Sequence, residues 1–260
     1  MQKLTRRLML PAIVGLLVLV GAEPKVPPVH VDHPGLKKLG WQQALPSQLF
    51  EDLTFFEVVD TLHALDVHHI ELTPQKALSP QQRAPIVPEM PAEQIDALMG
   101  KLKEAKLDIV SYRAGALPSD ETAARKVFEF GKALKLKTIV GTASEDALPM
   151  LDKLAEEYKL NVALLGRNRS PEGRSPQIGL CVDVETLGKS PLPDHVLELR
   201  LSRTIGEENS LAVEGLRKSG FKGIICVECT PASGQTALDN AAAAINAFAD
   251  LVTKAASAAP

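Results

Sequence analysis

Two short apolar segments of this chain each end in a carboxylate, and these two acids are the residues best placed to do chemistry. The segments are residues 179–183 (GLCVD) and 223–228 (GIICVE). A charge is costly inside a buried strand and useful at its end, which is where α/β barrels carry their catalytic groups. Asp183 and Glu228 are therefore the first candidates for a functional site. None of the six histidines falls at a predicted strand end of this kind.

Glu71 lies near the end of a third apolar run, residues 69–72, and is a further candidate. In an eight-stranded barrel Glu71, Asp183 and Glu228 would belong to strands two, six and eight, whose side chains share one layer. Carboxyl groups that cluster raise one another's pKa values, which suits general acid–base catalysis. Glu71 and Glu228 are thus the predicted catalytic residues. The alternative is that each acid only caps a strand, solvated or paired with an arginine.

Several arginines are expected at the same end of the strands as these acids. They are Arg113, Arg167, Arg169, Arg200 and Arg203. Guanidinium groups in such a place can bind a phosphate, a carboxylate or an acidic sugar through paired hydrogen bonds. We assign substrate binding to Arg113, Arg167, Arg200 and Arg203. The alternative is that they pair with the neighbouring acids or lie in solvent.

The composition is that of a globular protein. The 260 residues are 45% hydrophobic and 23% charged with a net charge of −3, so no charge excess points to nucleic acid. Aromatic residues are only 4%, too few for a platform that stacks single-stranded bases. The three cysteines are expected to be reduced. Cys226 and Cys229 would face opposite sides of one strand, and another strand would separate Cys181 from Cys226.

The N-terminus has the pattern of a signal peptide over residues 1–22. A basic start is followed by the apolar residues 8–20 and by small residues suited to cleavage. Arg6-Arg7 is compatible with both a twin-arginine and a general secretory signal. We expect a protein exported to the periplasm or the extracellular space, with no membrane attachment unless the signal stays uncleaved.

Residues 23–37 are rich in proline and are predicted to form an extended, mobile linker. His30 and His33 lie in it. A surface metal site is one interpretation of this pair, and two solvated side chains is the favoured one.

From residue 38 to residue 256 the chain alternates short apolar runs with amphipathic stretches. Strands are predicted over 39–44, 67–72, 107–112, 138–140, 161–165, 178–182, 196–201 and 224–227. Helices are predicted over 55–65, 92–105, 121–134, 145–158, 207–218 and 237–256. Eight alternating units predict a closed (β/α)8 TIM barrel. The alternative, an open doubly wound sheet, lacks the glycine-rich loop after its first strand. The unit after strand five is shortened, with residues 166–174 in place of a crossover helix.

Four stretches of this barrel region resemble the sugar phosphate isomerase/epimerase family with the xylose isomerase-like barrel. They are residues 124–134, 154–163, 173–183 and 220–223. The resemblance covers nearly all of residues 38–252, and a signal peptide fits exported bacterial members. It implies a site at the C-terminal mouth of the barrel that acts on or binds a sugar or a related small anionic ligand.

The same resemblance implies a divalent metal held by a Glu, an Asp, a His and a Glu after strands four, six, seven and eight. Asp183 and Glu228 match the Asp and the last Glu. Thr142 stands in the place of the first Glu, and Arg200 in the place of the His. Two of four ligands predict either weak binding of Mg²⁺ or Mn²⁺ or no metal at all. Arg200 could replace the ion by hydrogen bonding to both acids.

Two functions are therefore open. One is an isomerase or epimerase in which Glu71 or Glu228 moves the proton. The other is a catalytically inactive exported relative that binds a carbohydrate-like small molecule without metal. A metal-dependent phosphodiesterase on the same barrel is disfavoured because it needs several histidines at the mouth.

Overall fold

Eight parallel strands form a closed barrel in chain order, each paired with the next and the first with the last. The computed structural model describes residues 26–74, 76–167, 169–184, 190–201, 207–228 and 234–259. The strands are β1 (Trp41–Pro46), β2 (His69–Leu72), β3 (Asp108–Ala116), β4 (Thr138–Thr142), β5 (Asn161–Leu164), β6 (Ile178–Asp183), β7 (Val196–Leu201) and β8 (Gly223–Val227). The predicted (β/α)8 barrel is confirmed.

Helices cover the outside of the barrel, and a single large apolar core lies between helices and strands. Within the described residues they are α1 (His33–Leu39), α2 (Phe55–Ala64), α3 (Ala92–Ala105), α4 (Glu121–Ala133), α5 (Leu148–Tyr158), α6 (Glu207–Ser219) and α7 (Ala237–Ser257). The described residues between β5 and β6 contain no helix, which confirms the shortened unit. No helix in the part of the chain that the structure describes is long and apolar enough to cross a bilayer.

The helices α2, α3, α4 and α5 end in the same way. A residue in the left-handed region follows each helix, with φ of 56–57°. These residues are Asp66, Lys106, Lys135 and Lys159. The apolar residue after each one donates its N–H to a carbonyl five residues back, at 2.9 to 3.1 Å, which closes the last turn. Lysine suits this place because the helix C-terminus carries partial negative charge. Asp66 differs from the three lysines because its side chain is acidic.

The N-terminal segment differs from the expected linker over residues 23–37. Its second half contains α1, whose N-cap Asp32 accepts a hydrogen bond from Gly35 N at 2.9 Å. Thr253 Oγ1 of α7 donates to the other oxygen of Asp32 at 2.7 Å. Leu36 is buried against the core. The helix forms because an Asp cap followed by Pro and an apolar residue outweighs the proline content of the segment.

Close packing at Gly141 of β4 yields a stability prediction. A Cβ there would lie 2.5 Å from the carbonyl oxygen of Gly115 on β3, a backbone atom that cannot move aside. We expect Gly141→Ala to lower the free energy of unfolding by about 1–3 kcal/mol. Urea denaturation measures this. The matched control is Gly100→Ala in α3, where a Cβ meets nothing within 4 Å. It should change stability little or raise it by up to about 1 kcal/mol. Equal losses in both variants would contradict this packing.

Candidate functional site

Charged side chains from four strands meet inside the C-terminal half of the barrel. Glu198 and Arg200 lie two residues apart on β7, so both point to the same face of the strand. Glu71 of β2 and Arg113 of β3 approach them from the opposite wall. Glu71 and Glu198 have no exposed side-chain surface, and Arg200 is 4% exposed. These groups fill the barrel where apolar side chains usually pack.

Glu71 is held by two guanidinium groups at once. Its Oε2 accepts from Arg200 Nη1 at 2.8 Å, and its Oε1 accepts from Arg113 Nε at 3.0 Å and also from Arg113 Nη2. Two cations around one buried carboxylate compensate for its lost hydration. Both oxygens of Glu71 are therefore engaged.

Glu228 follows β8 directly and joins the same cluster. Its Oε1 accepts from Arg113 Nη2, from Arg200 Nη2 and from Gln48 Nε2, the last at 3.2 Å. Burial raises the pKa of Glu228, and the charge of Glu71 adds to this while Arg200 opposes it. Arg200 thus bridges Glu71 and Glu228. The sequence suggested that Arg200 could neutralise Asp183 and Glu228, and the structure shows Arg200 bonded to Glu228 and also to Glu71.

Glu198 is a member of the cluster that the sequence analysis missed. Burial, and then the charge of Glu71, raise the pKa of Glu198 well above its ordinary value of 4.5. This shift favours the protonated form of Glu198, whose Oε1 lies 3.4 Å from Arg200 Nη1. Two guanidinium groups then balance the charges of Glu71 and Glu228. The available signal was the alternation in VLELRL, which places residues 198 and 200 on one face of a strand.

Two thiols border this cluster. Cys181 lies 3.8 Å from Glu198 Oε1, and Cys226 lies one residue inside the end of β8. Both are buried and free, as predicted, and burial raises the pKa of both thiols well above the usual value. Cys229 lies outside the described residues. These thiols are packing groups rather than nucleophiles because they stay protonated.

A cavity of about 900 Å³ opens beside the cluster, at the carboxyl ends of β5 and β6. Asp183, Arg167 and Ser170 contribute polar groups to its wall, and Leu192 contributes apolar surface. Cys181 borders both the cavity and the buried cluster. The cavity is the place where a small molecule could reach Asp183.

The predicted substrate-binding arginines have separate positions. Arg200 is buried in the cluster, and Arg113 is 20% exposed and bonded to two acids. Arg167 lines the cavity, where it donates to Glu145 at 2.6 Å and to the Ala143 carbonyl at 3.0 Å. Arg169 also lines it and is 85% exposed. Arg203 lies outside the described residues.

The residues at the mouth do not fit a divalent metal held by Asp183 and Glu228. Glu228 Oε1 already accepts three hydrogen bonds, two of them from cations. Arg200 lies on β7, where the family resemblance implies a histidine ligand. A second acidic set, Glu71 with Glu198 and Cys226, brings three donor atoms within 4.8 Å, but Arg200 is bonded to both of these acids. A fixed guanidinium repels a cation, so these acids do not offer a site for a divalent metal.

Solved structures are similar to this chain over most of its length, although no protein-family model and no curated protein sequence matches it. An uncharacterized protein from Parabacteroides distasonis superposes with a TM-score of 0.68 at 16% identity, covering 81% of this chain and 99% of its own. A sugar phosphate isomerase/epimerase from the same organism superposes with a TM-score of 0.57 at 11% identity, covering 79% of this chain and 94% of its own. A xylose isomerase domain protein from Alicyclobacillus acidocaldarius superposes with a TM-score of 0.57 at 12% identity, covering 83% of this chain and 99% of its own.

These likenesses confirm the fold expected from the family resemblance, a xylose isomerase-like TIM barrel. The cluster of Glu71, Arg113, Arg200 and Glu228 lies at the end of that barrel where such folds carry their sites.

Removing Arg200 is expected to be costly for stability. Arg200→Met leaves Glu71 buried with one guanidinium fewer, so the free energy of unfolding should fall by about 3–5 kcal/mol. Urea denaturation measures the loss. Arg167→Met is the matched control, since its partner Glu145 is 75% exposed, and it should cost less than about 1 kcal/mol. A similar loss in both variants would contradict the buried network.

Glu198 is expected to make stability fall as pH rises. Below about pH 4.5 both the folded and the unfolded chain bind its proton, whereas above it only the folded chain keeps it. The free energy of unfolding therefore decreases as the pH rises toward the folded-state pKa of Glu198, by up to about 1.4 kcal/mol per pH unit. Glu198→Gln has no such proton. The stability of this variant relative to the wild type should rise as the pH increases above about 5. A difference that does not change with pH would show that the pKa of Glu198 is not raised in the folded protein.

Proposed function

We propose that this protein binds a carbohydrate-like small molecule at the C-terminal mouth of the barrel, without a metal and without isomerising it. The observation that carries the proposal is that Arg113 and Arg200 bind both Glu71 and Glu228, the two acids predicted to be catalytic. Export, which residues 1–22 predict, is part of the proposal and would place the site outside the cytoplasm.

Isomerisation of a sugar requires a base that reaches a carbon-bound proton and a group that stabilises the resulting oxyanion. Glu71 has no exposed surface, and its two oxygens accept from Arg200 and Arg113. Glu228 is 20% exposed, with Oε1 taken up by three donors. Both acids thus hold Arg113 and Arg200 in place, and Glu71 is not accessible to a substrate as a base.

The cavity favours a polyhydroxylated ligand. Its volume of about 900 Å³ exceeds what a monosaccharide needs. The Asp183 carboxylate can accept from sugar hydroxyl groups, and Arg167 can donate to a sugar oxygen. Ser170 Oγ, which donates to the Asp194 carbonyl at 3.0 Å, can accept from a further hydroxyl group. Leu192 offers an apolar surface for the C–H face of a sugar ring. One structural neighbour is named a sugar phosphate isomerase/epimerase, which supports a sugar-related ligand.

The charges in the cavity favour a neutral sugar over a sugar phosphate. Glu145 neutralises Arg167 at 2.6 Å, and Glu71 and Glu228 neutralise Arg113 and Arg200. Arg169, which also lines the cavity, has Glu172 Oε1 at 3.8 Å. A phosphate dianion would meet arginines that already have acidic partners, which gives it little electrostatic advantage.

Calorimetry and proton exchange together test the proposal. The purified protein is titrated with L-ribulose, D-xylose, D-fructose and D-fructose 6-phosphate, and each sugar is also incubated with it in D₂O with and without Mn²⁺. We expect binding of at least one neutral sugar, and by NMR neither deuterium incorporation nor a new sugar isomer, since a hydride shift would give the isomer without deuterium. Asp183→Asn should weaken the binding at least about tenfold, which corresponds to one charged hydrogen bond.

The matched control is Asp250→Asn, an exposed acid on α7 far from the mouth in the fold, which should bind as the wild type does. Deuterium incorporation that needs Mn²⁺ and is lost in Asp183→Asn would overturn the proposal in favour of a metal-dependent isomerase. Absence of binding to every sugar tested would overturn the ligand class.

A further inference from the structure

A second cluster of potential ligands lies at the opposite, N-terminal end of the barrel. His33 begins α1, and Asp66 and His68 lie in the segment between α2 and β2. We propose that His33, Asp66 and His68 form a binding site for a divalent transition-metal ion of the zinc class. This site is separate from the mouth and does not depend on the function proposed there.

The three side chains already converge. Asp66 Oδ2 lies 2.9 Å from His33 Nε2, and Asp66 Oδ1 lies 3.5 Å from His68 Nε2. The two imidazole rings stack with their centroids 4.5 Å apart and an angle of 11° between their planes. One donor atom from each residue lies within 4.8 Å of the other two. The three donor atoms thus lie close together before any ion binds.

Asp66 occupies a place where three other units of the barrel carry a lysine. It has φ of 56° after α2, as Lys106, Lys135 and Lys159 do after α3, α4 and α5. An acid at the C-terminal end of a helix faces the negative end of the helix dipole, which opposes it. A bound cation would remove this conflict. Of these four turns, the one with aspartate in place of lysine is also the one with a histidine shortly before it and another shortly after it in the sequence, His63 and His68.

The donor set selects the kind of metal. Two imidazole nitrogens and one carboxylate oxygen suit Zn²⁺, Co²⁺, Ni²⁺ or Cu²⁺, while Mg²⁺ and Ca²⁺ prefer oxygen ligands. Three protein ligands leave the remaining positions to water. The side chains are 37%, 61% and 51% exposed for His33, Asp66 and His68, so an ion can enter from solvent.

Binding requires a small local movement. Zinc ligands lie at about 2.0–2.2 Å from the ion, so the donor atoms must come together and the stacked rings must tilt until both nitrogens point at one centre. Their exposure lets these side chains rotate without displacing the core. The bound ion would tie α1 to the start of β2, two elements separated in sequence by β1 and α2.

Calorimetric titration of the full chain, prepared without a polyhistidine tag, tests the site with Zn²⁺. Absorption spectroscopy with Co²⁺ reports the ligands independently of any activity. We expect one equivalent of each ion to bind at this cluster and Zn²⁺ to raise the melting temperature. His33→Gln and His68→Gln should each weaken Zn²⁺ binding at least about tenfold, and the double variant should abolish it.

Two variants serve as controls. His63→Gln removes a histidine of α2 outside the cluster, and Asp183→Asn removes the acid at the mouth. Both should keep the wild-type affinity for Zn²⁺, and without metal the double variant should melt close to the wild type. The proposal is overturned if the wild type binds no Zn²⁺, if the double variant still binds it, or if Asp183→Asn loses it.

Discussion

The bonds from Arg200 and Arg113 to Glu71 set the shape of the barrel interior. A carboxylate with no exposed surface needs other groups to replace its lost water, and two guanidinium groups do so here. Burial beside Glu71 then disfavours a further negative charge, which raises the pKa of Glu198. The ion-pair network therefore determines which side chains are left to face solvent at the mouth.

Because of these ion pairs, the acids at the strand ends have a structural role here and not the catalytic role that acids have in other barrels. In a barrel that catalyses proton transfer, acids at the carboxyl ends of the strands are presented to the substrate. Here Glu71 and Glu228 face inward onto Arg113 and Arg200, and Asp183 borders the open cavity. Specificity for a ligand would then come from the cavity wall, while the arginines and glutamates support the wall from behind.

The fold was largely predictable because hydrophobic periodicity is a local property. The strand Val196–Leu201 and the helix Ala92–Ala105 match their predicted bounds. β3 was predicted to end at Tyr112 and extends to Ala116, because pairing with β4 continues beyond the apolar run. The site was predictable only in part. That Arg200 would bond to Glu71 depends on how strands on opposite walls face each other, which no spacing along one strand reveals.

The contact between the two ends of the chain has a consequence for how the barrel folds. β1 pairs with β8, and α1 is bound to α7 through the bond of Thr253 to Asp32. Closure therefore waits until β8 (Gly223–Val227) has been synthesised, and until then the edge of β1 that pairs with β8 is unpaired. Contacts this distant in sequence slow folding. During that interval the growing chain must be kept from pairing with other chains through the free edge of β1. Association of incomplete chains, and not weak packing of the finished barrel, is then the main hazard in producing this protein.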